Sequence, residues 1–520
     1  MCGIFALMNN DGIRFPNNYV YDEFMKGKKR GPESSKLKRE MINLDFGVHR
    51  LAINGLNSAS NQPIYYNNII LICNGEIYNY KKLYEMIDIQ PETDSDCEII
   101  IHLYLLYGIE HTLQLLDGVF SFCLLDNSKP GNEAKVYVAR DPYGVRPLYI
   151  MKPSIETSKK KIDSMYAFAS ELKVLSNICR RLNDENDVKN KKLELSIHPS
   201  FTIEQFSPGT YNIFYLDTVN KLAWKLEQKS RYHIPGFRSC LYNDNSNIEY
   251  IVPKIQSYLK SAVEKRCATT ERPIACLLSG GLDSSLITAL VNEYHKENNL
   301  PQLETYSIGL DGSDDLKYAK LVAEYLDTKH TEVVLTEQDF IDAIPDVIQS
   351  IESYDTTTVR ASIGNWLLGK YISEHSYAKV IFNGDGADEV MGGYLYVKYA
   401  MDCIEFDKEC KRLLKDIHTF DVLRSDKSIS SHGLEPRTPF LDRAWVDFYL
   451  SLPSIIRDPG ISENMEKHLV RSAFSEKYYM NNQGKQILPT EVLFRRKEAF
   501  SDGVSKQTRS LYEIIQEHTK

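Results

Sequence analysis

The sequence lacks several features by which other classes of protein are recognised. No run of 18 consecutive apolar residues occurs among its 520 residues, so we expect no membrane span. The apolar N-terminal stretch has no basic region before it, which differs from the layout of a secretory signal peptide and favours a cytoplasmic protein. The net charge is -9 and the pI about 5.8, without the basic field typical of domains that bind nucleic acid. Neither a membrane nor a nucleic acid is therefore expected as a partner.

The ten cysteines lack the spacing of a metal cluster. No two of them form a CxxC pair, so a zinc site is not expected. Several lie in apolar, strand-like runs, as Cys73 and Cys123 do, which is typical of small buried side chains in a reducing compartment. With 42% hydrophobic and 26% charged residues, the composition is that of a globular chain long enough to bury a sizeable core.

The hydrophobic pattern divides the chain into two parts with different periodicity. Residues 2–215 contain short apolar or alternating runs separated by turn residues, which predicts antiparallel strands in two layers. Strands are predicted at residues 47–53, 69–73, 119–125, 135–139 and 144–150, and a helix at 96–107. Two polar stretches, 153–163 and 180–195, are predicted to be surface loops.

The second part of the chain has a different pattern. Residues 216–250 show no periodicity and are predicted to connect the two parts. In residues 251–520 strands alternate with helices, which is typical of a parallel sheet with helical crossovers. Strands are predicted at 274–278, 305–309 and 379–382, a helix at 283–298, and a mainly helical structure towards the C-terminus. The sequence therefore predicts two α/β domains, residues 2–215 and 251–520.

The string SGGLDSS at residues 279–285 lies between the first of these strands and the helix after it. Its two glycines let the backbone approach an anion, and the free N–H groups of a helix N-terminus attract phosphate. Ser284 and Ser285 add hydroxyl donors, while Asp283 can hold a magnesium ion. A glycine-rich turn with a polar N-cap is the alternative, but seven residues at a strand-to-helix junction favour a phosphate loop. The string resembles the pyrophosphate loop of the ATP pyrophosphatases, which split ATP between the α and β phosphates.

A second glycine-rich string, GNWLLGKY at residues 364–371, nearly matches a Walker A loop. Tyr371 stands where that loop needs Ser or Thr to bind magnesium. Trp366, Leu367 and Ile372 have helical spacing, and no apolar strand precedes the string. The segment is therefore predicted to be a helix rather than a nucleotide site.

Cys2 follows the initiator methionine directly. Removal of Met1 would make Cys2 the N-terminal residue, whose thiolate can attack an amide while its own α-amine acts as the base. No separate histidine base is then required. A cysteine at position 2 is weak evidence by itself, so this interpretation depends on the residues that follow.

Five further residues supply what an α-amino acid with a side-chain amide requires. Arg50 can bind a carboxylate through two parallel hydrogen bonds. Asn74 and Gly75 offer a side-chain amide and a backbone N–H as an oxyanion hole. Glu76 and Asp96 offer carboxylates for an ammonium group. Each residue alone is most often part of a turn or a surface charge, whereas together they predict a glutamine site.

Four segments of the first part resemble the glutaminase domain of the N-terminal-nucleophile amidotransferases. They are MCGI at 1–4, HRLA at 49–52, NGEIYN at 74–79 and DGVF at 117–120. Joined to the phosphate loop at 279–285, they resemble one family, the glutamine-hydrolysing asparagine synthetases, over nearly the whole chain. The resemblance implies an αββα sandwich of antiparallel sheets in the first domain. It implies a parallel-sheet ATP-pyrophosphatase domain with a helical C-terminal part in the second.

The resemblance also implies the roles of single residues in the first domain. Cys2 is the implied nucleophile, and Asn74 and Gly75 are its implied catalytic partners. The implied glutamine-binding residues are Arg50, Leu51, Ala52, Ile53, Asn54, Asn74, Gly75, Glu76 and Asp96.

In the second domain the resemblance continues through residues 352–362, 383–389, 432–442 and 496–503. The implied ATP-binding residues are Leu277, Ser279, Gly280, Gly281, Asp283, Ser284, Ile308, Asn383 and Gly384. Arg360 and Lys497 are implied for aspartate and pyrophosphate, and Asp283 and Asp388 for Mg²⁺. Cations are needed because two anions, aspartate and ATP, must meet while pyrophosphate leaves. The implied substrates are L-glutamine, L-aspartate and ATP, Mg²⁺ is the implied cofactor, and a homodimer is left open.

The sequence departs from the family pattern in one loop. Where the family usually has SGEGS, residues 383–387 are NGDGA. The family's glutamate acts as a base on the incoming ammonia. Asp385 keeps the carboxylate on a side chain that is one methylene shorter, so it is the implied catalytic base.

Three hypotheses follow for the function. The first is glutamine-dependent synthesis of asparagine through β-aspartyl-AMP, with glutamate, AMP and pyrophosphate as the other products. The second is another ATP-dependent amide- or ring-forming enzyme on the same scaffold, such as a relative of β-lactam synthetase. The complete glutamine site argues against the second, because a ring closure needs no ammonia. The third is a catalytically impaired relative, motivated by Asn383 and Asp385.

Overall fold

The chain forms two compact units, Met1–Ile234 and Pro235–Lys520. The computed structural model describes residues 2–128, 133–154, 165–192, 200–219, 222–240, 247–461, 465–497 and 511–518. Within these ranges, no helix is both long enough and apolar enough to cross a membrane.

The first unit is built from two six-stranded antiparallel sheets, with strand orders β10-β8-β9-β1-β3-β2 and β12-β11-β7-β6-β5-β4. The strands are β1 (Cys2–Met8), β2 (Ser34–Met41), β3 (Leu44–Arg50), β4 (Ile64–Tyr66), β5 (Ile69–Ile77), β6 (Gly118–Asp126), β7 (Lys135–Arg140), β8 (Tyr149–Pro153), β9 (Tyr166–Ala169), β10 (Phe201–Gln205), β11 (Thr210–Asp217) and β12 (Ala223–Arg231). The helices are α1 (Asn17–Met25), α2 (Tyr80–Ile87), α3 (Ile99–Leu115) and α4 (Leu172–Lys192).

A buried apolar cluster joins the inner faces of the two sheets. Ile4 and Met8 of β1 belong to it together with Ile72 of β5. Because side chains alternate between the faces of a strand, Phe5 lies on the outer face of β1, where α1 and α4 pack. Helices α2 and α3 cover the outer face of the other sheet. The predicted αββα sandwich is therefore confirmed.

Some predicted elements of the first unit differ from the structure. The segment 180–195 was predicted to be a loop, but α4 extends through it as far as Lys192. The apolar stripe of α4 is formed by Val174, Ile178 and Leu182, all buried and spaced by four residues. Most of this stripe lies before residue 180, so the polar segment alone carries no helical signal. Of the other predicted loop, residues 155–163 lie outside the described residues.

Two further differences concern strands, and one concerns a helix. The strand predicted at 144–150 begins only at Tyr149, because Gly144 adopts a φ of +68° in a turn. The segment 216–250, predicted to be a connection, contains β12, which pairs antiparallel with β11 at the edge of its sheet. The helix predicted at 96–107 is a 3₁₀ turn, Asp96–Glu98, followed by α3.

The second unit contains one parallel five-stranded sheet with the order β15-β14-β13-β16-β17. Its strands are β13 (Ile274–Leu277), β14 (Glu304–Leu310), β15 (Lys329–Leu335), β16 (Val380–Phe382) and β17 (Glu435–Arg437). Its helices are α5 (Ile248–Ala268), α6 (Leu282–Glu297), α7 (Asp314–Leu326), α8 (Glu337–Asp342), α9 (Ile344–Ile351), α10 (Thr356–His375), α11 (Ala387–Met391), α12 (Cys403–Asp416), α13 (Asp421–Ser430), α14 (Arg443–Ser451), α15 (Ser454–Arg457), α16 (His468–Ala473), α17 (Thr490–Leu493) and α18 (Leu511–His518).

The parallel sheet and the helical C-terminal part are as predicted, and β15 and β17 extend the sheet beyond the three predicted strands. The Walker A-like string 364–371 lies inside α10, so its prediction as a helix is confirmed. Loops leave the carboxyl ends of β13 and β16, which are neighbours in the sheet. In parallel sheets ligands bind at these ends, and the two motif loops, 279–285 and 383–387, both begin there.

Candidate active sites

The first candidate site lies at the start of β1, where Cys2 pairs with Arg50 of β3. Cys2 is buried, with 6% of its surface exposed. Its backbone nitrogen donates a hydrogen bond to Asn74 Oδ1 at 3.1 Å, and Arg30 Nε donates to its carbonyl at 2.9 Å. These two bonds hold the backbone on both sides of the Cys2 Cα, so the thiol has a defined position.

Burial raises the pKa of the Cys2 thiol above its ordinary value. The charge at the N-terminus, the backbone N–H of Leu51 and the guanidinium of Arg50 oppose this effect. The thiol therefore needs a base beside it to become a nucleophile at neutral pH, and the α-amine of an N-terminal cysteine can be that base.

The two predicted oxyanion residues follow each other on β5. A Cβ added to Gly75 would lie 2.5 Å from the carbonyl oxygen of Val119 and 2.7 Å from the Cα of Phe120, so the pairing of β5 with β6 excludes any side chain there. Asn74 is fully buried, and its Nδ2 lies 3.5 Å from Ser170 Oγ. The structure thus brings Cys2, Asn74 and Gly75 together.

Three of the predicted glutamine-binding side chains meet in one cluster. Asn54 Nδ2 donates to Glu76 Oε2 at 2.6 Å and lies 3.5 Å from Asp96 Oδ1. The other oxygen of Asp96 accepts the backbone N–H of Ile77 at 2.6 Å. The cluster therefore presents two carboxylates, one from β5 and one from the 3₁₀ turn before α3, which suits an ammonium group.

Arg50 holds the loop that follows β3. Its guanidinium donates to the carbonyls of Gly55 and Asn57 and to Asn61 Oδ1, the last at 2.6 Å. The loop contains the predicted residues Leu51, Ala52 and Ile53, which are buried. The backbone N–H of Ala52 donates to Glu33 Oε2 at 2.8 Å.

Several residues around Cys2 were not predicted from the sequence. Arg30, which binds the Cys2 carbonyl, is fully buried and pairs with Glu171. Gln62 Nε2 lies 4.0 Å from Cys2 Sγ and donates to the carbonyl of Cys73 at 3.0 Å. Because their partners are distant in the chain, no local pattern marks these residues.

His49 belongs to one of the predicted motif segments but has a structural role. Its ring stacks on Phe24 with 3.9 Å between the centroids, and its nitrogens bond to the Phe24 carbonyl and to Ser35 Oγ. Burial lowers the pKa of His49 to about 4. The ring is therefore neutral at physiological pH, and both of its nitrogens form hydrogen bonds within the first unit.

The second candidate site is a cavity of about 320 Å³ at the carboxyl ends of β13, β14 and β16, a size typical of small-molecule sites. Predicted residues that line it are Leu277, Ser279, Gly281, Asp283, Ser284, Ile308, Arg360, Asn383, Gly384, Asp385, Asp388 and Lys497. Residues that were not predicted also line it, among them Tyr306, Lys467, Asp421 and Arg424.

The two glycines of the SGGLDSS loop have different structural roles. Gly280 has a φ of +72°, and an added Cβ would lie 2.5 Å from the backbone nitrogen of Ala319, so this glycine packs the loop on α7. Gly281 is the N-cap of α6 and faces open space on the cavity side. Ser284 Oγ accepts the N–H of Ser279 at 3.2 Å, which closes the loop. Gly281, Asp283 and Ser284 line the cavity, so the start of α6 lies at its wall, where a helix N-terminus can bind an anion.

Two acidic side chains from different loops share one lysine. Lys467 Nζ lies 2.6 Å from Asp283 Oδ2 and 2.5 Å from Asp388 Oδ1, and Lys497 also pairs with Asp388. Burial alone would raise the pKa of Asp388, but the two lysine ammonium groups outweigh it and hold that pKa well below its usual range. Asp388 is therefore ionised throughout the physiological range.

The predicted magnesium ligands can be tested on their geometry. Among the described residues, no group of three or more His, Cys, Asp or Glu side chains has a metal-binding arrangement. A Mg²⁺ ion that travels with ATP needs only one or two protein carboxylates, because phosphate oxygens and water complete its shell. Asp283 Oδ1 is buried and accepts no hydrogen bond from the described part of the chain. Asp283 and Asp388 therefore fit a Mg²⁺ ion bound together with ATP.

Asp385 and Arg360 line the same cavity but lie on different elements of the second unit. Asp385 Oδ1 pairs with Arg424 Nη2 at 3.0 Å, and Asp385 Oδ2 is buried without a hydrogen bond within the described residues. The guanidinium of Arg360, on α10, lies 5.5 Å from the ring centroid of Tyr512 on α18. The C-terminal helix therefore contributes to the placing of a predicted pyrophosphate-binding arginine.

The two units together are typical of one class of protein: a glutamine amidotransferase domain joined to an ATP-dependent synthetase. Comparison with known proteins agrees with this class. The family model for asparagine synthase matches residues 254–407 and 404–519, and that for a glutamine amidotransferase domain matches residues 1–225.

Individual relatives that match the whole chain identify the family. The asparagine synthetase [glutamine-hydrolyzing] of Rattus norvegicus is 37% identical over 539 residues, which covers 99% of this chain and 87% of the relative. Those of Homo sapiens and Gallus gallus are 37% identical over 533 and 532 residues, each covering 100% of this chain and 87% of the relative. The chain belongs to the family of glutamine-hydrolysing asparagine synthetases.

Proposed function

We propose that this chain converts L-aspartate to L-asparagine, using ATP and the amide nitrogen of L-glutamine. One observation carries the proposal. The segments after β13 and β16 bring a helix N-terminus and two carboxylates to one cavity, which Lys467 and Lys497 also line, in a chain whose Cys2 lies beside Asn74 and Gly75 in the first unit. The groups of the first site have no role in ATP cleavage, and those of the second site have no role in glutamine hydrolysis. A glutamine-fed synthetase is the activity that needs both.

In the first unit, removal of Met1 frees the α-amine of Cys2. Cys2 Sγ then attacks the side-chain amide of glutamine, and this α-amine takes up the thiol proton. Asn74 Nδ2 and the Gly75 N–H stabilise the oxyanion of the tetrahedral intermediate. Glu76 and Asp96 bind the substrate ammonium group, and Arg50 binds its carboxylate. As the intermediate collapses, the α-ammonium group returns its proton to the leaving nitrogen, which departs as ammonia and leaves a thioester on Cys2. Water then hydrolyses the thioester to glutamate.

In the second unit, the β-carboxylate of aspartate attacks the α-phosphorus of ATP and pyrophosphate leaves. Mg²⁺ bound at Asp283 and Asp388 would supply charge neutralisation for the pyrophosphate. Arg360 and Lys497 add fixed positive charge on the same group, and the N–H groups at the start of α6 bind phosphate oxygens. The products of this step are β-aspartyl-AMP and pyrophosphate.

Ammonia then attacks the activated β-carbonyl, and AMP leaves. The nitrogen nucleophile must lose a proton as the amide forms, which requires a base in the cavity. Asp385 Oδ2 is the group that we assign to this step, because it lines the cavity and has no hydrogen-bond partner among the described residues. Asp385 thus takes the role of the longer glutamate found in the family.

The test supplies the purified chain with aspartate, MgATP and glutamine carrying ¹⁵N in its side-chain amide. We expect asparagine with ¹⁵N in its side chain, together with AMP and pyrophosphate in equal amounts. Formation of ADP and phosphate as the aspartate-dependent products would contradict the proposed ATP chemistry. Asparagine formation from ammonium chloride but not from glutamine would contradict the proposed role of the first unit. No aspartate-dependent pyrophosphate at all would favour a catalytically impaired relative.

A further inference from the structure

Helix α13 is attached to the loop that carries Asp385 by two side chains. Arg424 Nη2 lies 3.0 Å from Asp385 Oδ1, and the same guanidinium pairs with Asp421 Oδ1. The other oxygen of Asp421 accepts the backbone N–H of Gly386 at 3.0 Å. Arg424 and Asp421 are separated by one helical turn, so the two bonds form a rigid bracket around residues 385 and 386.

A second attachment lies two residues before Asp385 in the same loop. Asn383 Nδ2 donates to Ser425 Oγ at 2.8 Å, and Asn383 Oδ1 lies 3.3 Å from the backbone nitrogen of Asp385. Asn383 occupies the position where the family usually has serine. Its longer side chain reaches both the helix and the backbone of the loop, so the backbone of Asp385 is held on either side.

The two oxygens of Asp385 therefore differ. Oδ1 is bound by a charged guanidinium, whereas Oδ2 is buried without a hydrogen-bond partner among the described residues, in a side chain that lines the cavity. A carboxylate with one oxygen held by an arginine has little rotational freedom, because the guanidinium offers its N–H groups in a fixed plane. The bond at Oδ1 thereby restricts the rotation of the carboxylate and limits the positions that Oδ2 can take.

We propose that Arg424 is a positioning residue: it binds Asp385 Oδ1 and so directs Asp385 Oδ2 at the reacting nitrogen. The proposal rests on the role assigned to Asp385 under the proposed function. A side chain one methylene shorter than glutamate has fewer ways to reach the substrate, so its direction must be held. A displacement of the reacting oxygen by about 1 Å costs a rate factor of about 100.

A double-mutant cycle tests the proposal on the full chain, with ammonium chloride as nitrogen donor so that the first unit plays no part. The variants are Arg424→Gln, Asp385→Asn and the two combined. We expect Arg424→Gln to lower kcat by about 100-fold, while the KM values for ATP and aspartate change by less than about threefold. In the Asp385→Asn background, Arg424→Gln should lower kcat by less than about twofold, because no carboxylate remains to be positioned.

Arg424→Lys provides the conservative comparison. A lysine keeps the positive charge but cannot bind two carboxylates in one plane, so we expect a kcat between those of wild type and Arg424→Gln. If Arg424→Gln does not fold, as judged by its thermal transition, Arg424→Lys takes its place in the cycle. Arg457→Gln is the matched control, because Arg457 is a buried arginine that pairs with Asp407 and does not line the cavity. We expect its effect on kcat to be the same in both Asp385 backgrounds.

The outcomes separate the two proposals. Losses that multiply in the combined variant would overturn the positioning role, as would a KM increase that accounts for the whole loss in kcat/KM. An Asp385→Asn variant as active as wild type would overturn it too, since Arg424 would then have no catalytic group to direct. In each of these cases the wild-type chain still makes asparagine. A wild-type chain that makes no asparagine, or that forms ADP and phosphate in place of AMP and pyrophosphate, contradicts the proposed function itself.

Discussion

Lys467 Nζ lies 2.6 Å from Asp283 Oδ2, although the two residues belong to different motifs of the chain. The same ammonium group lies 2.5 Å from Asp388 Oδ1, and Lys467 itself adopts a left-handed backbone with a φ of +58°. A non-glycine residue in this conformation is strained and persists only where the surroundings impose it. The lysine therefore joins the two predicted magnesium ligands into one buried charge cluster.

Replacing Lys467 by methionine should destabilise the second unit. Removal of one partner from a buried ion pair costs about 3–5 kcal/mol, because the remaining carboxylates lose their counter-charge. We expect Mg²⁺ to recover part of this loss, since Asp283 and Asp388 would then be free to share the metal. The measurement is the thermal transition of wild type and Lys467→Met with and without Mg²⁺. An equal response of the two proteins to Mg²⁺ would argue against a metal site at these carboxylates.

The variant Cys2→Ala should separate the two half-reactions. Without the thiol, glutamine hydrolysis should fall to background, because the proposed mechanism depends on attack by Cys2 Sγ. Synthesis of asparagine from ammonium chloride should remain within about threefold of wild type, since the cavity of the second unit keeps all its groups. Glutamate release and asparagine formation are measured in parallel. The loss of both activities in a folded protein would contradict a two-site enzyme.

The variant Asp385→Glu tests whether the loop has adapted to the shorter side chain. The bracket formed by Arg424 and Asp421 matches an aspartate, so the added methylene should move the carboxylate by about 1 Å. We therefore expect ammonia-dependent synthesis to fall by up to about 100-fold, although glutamate is the usual family residue. Asp385→Asn should fall further, by about 10²–10⁴-fold. A glutamate variant faster than wild type would mean that the loop has not adapted.

Gly280 and Gly281 should respond differently to alanine. Gly280→Ala places a Cβ 2.5 Å from the backbone of Ala319 at a φ of +72°, so we expect the free energy of unfolding to fall by at least about 2 kcal/mol. Gly281 has an ordinary φ, and the nearest atom to an added Cβ is Ser279 Oγ at 3.5 Å. Gly281→Ala should therefore fold normally and raise the KM for ATP. Urea unfolding and steady-state kinetics distinguish the two, and equal stability losses would contradict this assignment.

His49 should make the stability of the first unit depend on pH. Its pKa is about 4 in the folded chain because burial disfavours the charged ring, whereas the unfolded chain has the ordinary value of 6.5. The unfolded state therefore binds the proton first, so stability is complete above pH 6.5 and falls as the pH decreases towards 4. From this group alone we expect a loss of roughly 2 kcal/mol between pH 7.5 and pH 5. Urea unfolding of His49→Gln, which keeps a donor for the Phe24 carbonyl, should show a smaller loss; an equal loss would exclude His49 as the cause.

Much of the fold could be predicted from the sequence because its signals are local. Strands β5, β6 and β7 are apolar runs between turn residues, and β13, which precedes the phosphate loop, has the same character. The polar segment of α4 was wrongly predicted to be a loop, because the buried apolar stripe that marks the helix begins earlier in the chain. Strand β12 was not predicted, because the alternation of apolar and polar residues along it is weak. Most of its side chains are exposed or half-buried at the edge of a sheet.

The sequence by itself determined the family of the protein and predicted the chemistry of both sites, since the phosphate loop and the segment around Cys2 are short, contiguous strings whose glycines and caps act on their own backbone. Only the tertiary structure decided which residues support that chemistry. Arg30 reaches Cys2, Lys467 reaches Asp283, and Arg424 reaches Asp385, each across a long stretch of chain. Such pairs form where the fold brings a cationic side chain to a carboxylate or a carbonyl far away in the sequence, and a contact between distant residues leaves no periodic signal in the sequence.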